Sequence, residues 1–167
     1  MEKLWRLATK EKYLGNIIST DGLAASVTAT VMKRKGQTVT SMIETRAVIE
    51  DCRANCIGGI TVGLEIWELA ILPHLLNDSE TWTNINKRTI EILKDMQYMF
   101  MRYLLATPRT CPTPSLLWET GGMLMEIRID RKKLMFFHHI INLPDESLAK
   151  EIAMTQIKFK HPGRVFV

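Results

Sequence analysis

Cysteine is scarce in this chain: Cys52, Cys56 and Cys111 make an odd count with no framework spacing. That excludes a disulfide-stapled secreted scaffold and suits a reducing compartment. Cys52 and Cys56 stand four apart, as half a metal site would. No second Cys/His pair with ligand spacing accompanies them, and the adjacent His138 and His139 cannot share one helix face. The three cysteines therefore read as buried free thiols.

Long uninterrupted apolar runs are also missing. The nearest is "IGGITVGLEIWELAILPHLL", residues 57–76, which carries Glu65, Glu68, His74 and Pro73. An acid at mid-membrane costs several kcal/mol, so the segment reads as a buried core helix. The opening "MEKLWRLATKEK" has no apolar signal region, and an intracellular protein, nuclear or cytoplasmic, is expected. Repeats, low-complexity tracts, nucleophile-elbow, zinc-protease and phosphate-loop motifs are all lacking. The doublets Gly58-Gly59 and Gly121-Gly122 lack a strand-loop-helix context and read as caps or packing points.

What is present is ordinary globular usage: 167 residues, 46% hydrophobic and 24% charged, with a net charge of +4. That is enough to bury a core. The charge permits an anionic partner and fits a merely basic surface equally well.

The pattern predicts a mainly α protein: an N-terminal β-hairpin, then a helical bundle. Leu4, Trp5 and Leu7, then Tyr13, Leu14, Ile17 and Ile18, flank a polar turn at Thr9-Lys10-Glu11. This predicts hairpin arms near 3–8 and 12–18. Thr20 or Asp21 is positioned to cap the next helix. From Leu23 to Cys52 the periodicity is blurred by threonines, and one or two helices with a soft joint at Lys35-Gly36 are expected. A nearly all-round apolar helix comes next, from Ile57, kinked or stopped at Pro73. Further helices are expected over about 84–106, 115–119, 124–142 and 145–158. In the third of these, Ile127, Leu134, Phe137 and Ile141 form the apolar face.

Two basic clusters stand out. Lys33-Arg34-Lys35 reads either as a phosphate-backbone contact or as cations matching a helix C-terminus. Arg128, Arg131 and Lys132 share a face opposite the apolar stripe, and read either as phosphate contacts or as a solvated face. Glu80, beside Trp82, reads as a buried hydrogen-bonding carboxylate, and Trp67 as a core residue.

Several phrases, in order, resemble the C-terminal part of non-LTR (LINE-type) retrotransposon reverse transcriptases. "KYLGNIISTDG" (12–22) resembles the family's last polymerase-core motif. "ILPHLLNDSETW" (71–82) resembles the thumb phrase ending in Glu-x-Trp. "LLWETGGMLMEIRIDRKKLMFFHHII" (116–141) resembles the family's later helix pair, and "ESLAKEI" (146–152) the stretch after that pair. The resemblance implies a hairpin over 1–20 from the end of the palm, with Tyr13, Leu14 and Gly15 on its primer-grip strand. It implies a thumb-like helical bundle over 21–106, a post-thumb linker over 107–158 and a frayed tail over 159–167. The implied partner is an RNA–DNA hybrid or other duplex, held weakly and without sequence preference by candidates Tyr13, Leu14, Gly15, Lys33, Arg34, Lys35, Arg128, Arg131 and Lys132. Glu80, Trp82 and Trp67 would be structural.

No Tyr-x-Asp-Asp or other two-metal carboxylate pair occurs, and the proline often found after Glu-x-Gly is missing from "GGMLMEIRI". The chain alone is thus expected to be catalytically inert and to need no cofactor. Magnesium and its carboxylates would belong to a part N-terminal to residue 1. The competing expectation is a helical interaction protein or relic with no nucleic-acid role. There, apolar surface at Trp5, Leu7, Tyr13 and Ile17 would be exposed and self-associate.

Overall fold

The computed structural model describes residues 10–13, 16–19, 21–82 and 85–158. The chain is mainly α, with an N-terminal hairpin. Strands β1 (Lys10–Tyr13) and β2 (Asn16–Ser19) pair antiparallel, Lys10 opposite Ser19 and Tyr13 opposite Asn16. The arms thus differ from those expected. Lys10 and Glu11, read as a turn, lie in β1, and the predicted first arm at 3–8 lies outside the described residues. Three consecutive charged residues, Lys10, Glu11 and Lys12, read as a turn but are also compatible with a strand, so polarity alone misplaced the boundary.

Helix α1 (Leu23–Ala54) is one unbroken helix of 32 residues, about 48 Å long at 1.5 Å per residue. The threonines that blur its periodicity do not break it. Thr28, Thr40 and Thr45 donate their hydroxyls to the carbonyls of Ala24, Gly36 and Ser41, one turn back. Gly36 is exposed within the helix, and no joint forms there. The N-cap is Gly22 rather than Thr20 or Asp21, with φ 103°, a backbone conformation glycine adopts without strain. Seven residues are buried along α1, and Thr30, Arg34 and Thr38 among them are polar, which hides the stripe from an apolar count.

A tight turn through Asn55 and Cys56 leads into α2 (Gly59–Ile66), a π-helical turn at Trp67–Ile71 and the short α3 (Leu72–Leu75). Cys56 is exposed at φ 56°, while Cys52 and Cys111 are half-buried, so the reading of buried thiols does not hold. The chain reverses here, and the αL residue ending α1 projects outward. Pro73 accounts for the wide turn. It lacks an N–H, and in a regular helix its ring would meet the Leu69 carbonyl. Instead, the Leu72 N–H donates five residues back to Trp67 O. The extra residue rotates the faces that follow it, and Ile71, Leu72 and Leu75 are buried with Trp67 while Leu69 is exposed; Ile57 and Ile60, before the turn, are exposed as well. The all-round burial expected of this segment does not occur: its second half buries one side, with Trp67, Ile71, Leu72 and Leu75, and exposes Glu68, Leu69 and Ala70.

A 3-10 turn at Ser79–Thr81 precedes α4 (Lys87–Leu105), whose N-cap Asn86 accepts from the Thr89 N–H at 2.8 Å. Its inward face carries Thr89, Leu93, Met96, Phe100 and Leu104, three or four residues apart. Phe100 stacks on Trp67 with ring centroids 5.0 Å apart. α2 approaches α4 closely because Gly63 has no side chain; a Cβ there would overlap Leu104. Helix α5 (Thr113–Thr120) ends at Gly121 in the left-handed conformation, and α6 (Met125–Ile141) and α7 (Leu148–Lys158) complete the helices among the described residues. Leu116 of α5 and Met125 and Ile129 of α6 belong to the same core as Trp67 and Phe100.

The orientation of α6 reverses the sequence expectation. Met125 and Ile129 are buried, while Ile127 and Leu134 are 51% and 65% exposed. The side carrying Arg128 and Lys132 turns towards the body instead, where acids and open helix-end carbonyls accept their hydrogen bonds. Among the described residues, no helix is long and apolar enough to cross a membrane.

Candidate nucleic-acid interface

The hairpin is anchored to α1 by its second strand. The Ile17 N–H donates to Thr30 Oγ1 at 2.8 Å, and Ile17 itself is half-buried rather than exposed. Tyr13 contributes backbone to β1, while Leu14 and Gly15, with Trp5 and Leu7, lie outside the described residues.

Lys33, Arg34 and Lys35 lie in the interior of α1, not at a helix end, so neither a single patch nor a C-terminal match arises. Consecutive helical residues point about 100° apart. Lys33 and Lys35 are half-buried at the surface, and Arg34 is only 4% exposed. Its guanidinium donates to Asn77 O and, at 2.8 Å, to Asn16 Oδ1, and lies 3.5 Å from Asp78 Oδ2. It also sits over the buried Trp82 ring, 5.9 Å from the centroid. Burial lowers the Arg34 pKa, and the Asp78 carboxylate opposes that shift. One side chain thus ties hairpin, helix and the 77–78 turn together.

Arg128, Arg131 and Lys132 line one concavity beside Pro73 and Met123. Arg128 forks onto Glu68 at 2.5 and 2.8 Å. Lys132 Nζ donates to Leu76 O at 2.8 Å and lies 3.9 Å from the half-buried Glu80. Arg131 is exposed with no ion-pair partner among the described residues. Of the structural candidates, Trp67 and Trp82 are in the core.

A third basic site escaped sequence reasoning. The C-terminal halves of α1 and α4 and the connector after α4 enclose a cleft of about 920 Å³, lined by Arg46, Arg53, Arg102 and Arg109 with Glu50 and Asp95. Arg46 pairs with Glu50 at 2.9 Å. Arg53 Nη2 donates to Tyr103 O and Leu104 O, neutralising the carbonyl end of α4. Both guanidiniums lie against the Tyr103 ring, at 5.4 and 5.2 Å. Burial, reinforced by Glu50, pushes the Tyr103 phenol above its ordinary pKa. Ala106 closes α4 at φ 50°, with the Thr107 N–H donating to Arg102 O. The signal was available: Arg46 and Arg53, like Asp95 and Arg102, are seven apart and so share a helix face.

Among the described residues, no three His, Cys, Asp or Glu side chains gather in a way that could hold a metal ion. No family model, curated protein or solved structure matches the chain.

Proposed function

We propose that the chain is a thumb-and-linker portion of a retrotransposon reverse transcriptase, inert as a polymerase by itself, that contacts a template–primer duplex through backbone charges. The ordered phrases from Lys12 to Ile152 carry the reading. It is supported by a hairpin pinned to the first long helix through Thr30 and Arg34, since a grip strand needs a rigid mount. Tyr13, Leu14 and Gly15 would lie along the primer. Lys33, Lys35 and Arg131 would supply phosphate contacts, while Arg34, Arg128 and Lys132 hold the mount. Such contacts carry no sequence information, so binding is weak and unspecific. No cofactor is proposed for this chain; magnesium would act at catalytic carboxylates that this sequence does not contain.

A second reading, a helical interaction module without nucleic acid, is favoured by the exposed Ile127, Leu134 and Met135 of α6. Sedimentation velocity with and without an RNA–DNA hybrid separates the two. The duplex reading expects a complex with the hybrid that dissociates in salt. Salt-independent self-association with no hybrid complex would replace it with the second.

A further inference from the structure

We infer that the cleft between the C-terminal halves of α1 and α4 is a phosphate-binding site, with Arg102, Arg109 and Thr107 as its donors. Four arginines line it, and two are already committed: Arg46 to Glu50, and Arg53 to the terminal carbonyls of α4. Arg102 and Arg109 form no ion pair among the described residues. Arg102 Nε and Thr107 Oγ1 are shielded from solvent with no hydrogen-bond partner there either. A buried donor without an acceptor is unfavourable, and here two such donors sit in one cleft.

The opposing charges are Asp95 and Glu50. Glu50 is held by Arg46, which pulls its carboxyl below the usual range. Two guanidiniums then outweigh the remaining Asp95. Their planar forks, joined by a hydroxyl, match the several acceptor oxygens of a phosphate better than a carboxylate's two. The phosphate could belong to a nucleic-acid strand or to a free oligophosphate. The strand as source rests on the duplex reading above; the site itself does not.

Inorganic tripolyphosphate and a labelled RNA–DNA hybrid are titrated against the full chain and three variants. Arg109→Glu alters an exposed connector residue, and the control Arg88→Glu makes the same charge change near the start of α4. Arg109→Glu is expected to weaken tripolyphosphate at least about tenfold, and Arg88→Glu less than about twofold. Arg102→Gln, checked for folding by circular dichroism, should match Arg109→Glu. Equal losses in Arg109→Glu and Arg88→Glu, or no tripolyphosphate binding, would overturn the site. If hybrid affinity falls in parallel with tripolyphosphate affinity, a strand is the source. Arginine-dependent tripolyphosphate binding without hybrid binding keeps the site and removes the duplex reading. Hybrid binding indifferent to both arginines, without tripolyphosphate binding, does the reverse.

Discussion

Arg34→Met tests the junction between hairpin, α1 and the 77–78 turn. The substitution keeps the length of the side chain and removes its charge and donors. A buried charge is not automatically stabilising, because desolvation offsets its attractions, and apolar replacements of buried ion pairs are often neutral. The outcome depends on which groups lose their partner. Asp78 does not become an orphan: it still accepts from Asn16 Nδ2 at 3.1 Å and Asn77 Nδ2 at 2.9 Å, and its side chain is 36% exposed. Asn16 is half-buried and can turn towards water. The Asn77 carbonyl loses the charged donor that Arg34 supplies. A hydrogen bond from a charged donor contributes about 1.5–3 kcal/mol net, so a loss of about 2 kcal/mol is expected. At a urea dependence of about 2 kcal/mol per M, the midpoint falls by about 1 M. Arg34→Ala adds a cavity term and should lose about 1–2 kcal/mol more. Arg34→Lys keeps the charge without the fork and should fall between parent and Met. Urea unfolding followed by tryptophan fluorescence reads all three. A Met variant within about 0.5 kcal/mol of the parent would refute the reasoning, because the fork would then contribute nothing net.

Gly63→Ala places a methyl group against Leu104 and should cost about 1–3 kcal/mol, with Leu104→Ala compensating in a double-mutant cycle; additive losses would deny the close approach of α2 to α4. Ala106→Gly relieves a left-handed residue at the end of α4 and should raise stability by about 0.5–1 kcal/mol in the same urea assay. Burial is the largest influence on Glu126 and pushes its pKa up, yet the Lys94 hydrogen bond and its own backbone N–H leave it below the ordinary value. A depressed carboxylate stabilises the fold above its unfolded pKa, and that stability disappears as pH falls through the folded pKa. Glu126→Gln should therefore flatten the stability–pH curve below about pH 4.5 by less than about 1 kcal/mol and leave its shape at pH 6–8 unchanged.

Where one physical signal dominates a segment, the sequence announced the structure. The inner face of α4 is a regular apolar repeat, and the Pro- and Gly-bounded α5 has clear start and stop signals. Legibility failed where polar groups were buried. In α1, Thr30, Arg34 and Thr38 occupy core positions: Thr30 accepts from the Ile17 N–H of β2, and Arg34 finds acceptors more than 40 residues away, at Asn77 and Asp78. Spacing cannot reveal such partners. α6 shows the same limit: its apolar stripe suggested one burial, while Glu68, Glu80 and the Leu76 carbonyl select the cationic side. The basic clusters were legible as clusters but not as surfaces, since ion pairing inside the fold is a long-range property. The arginine cleft was half legible, through seven-residue spacings on two helices whose meeting only the fold determines.

The central claim is that this surface holds a duplex through phosphate contacts. Its most direct test is fluorescence anisotropy of a labelled RNA–DNA hybrid titrated with the full chain across a salt series. Saturable binding whose affinity falls steeply and linearly in log salt, by about 0.9 in slope per phosphate neutralised, is the predicted result. A folded, soluble chain that leaves the hybrid unbound at low salt, or binds it with no salt dependence, would contradict the account.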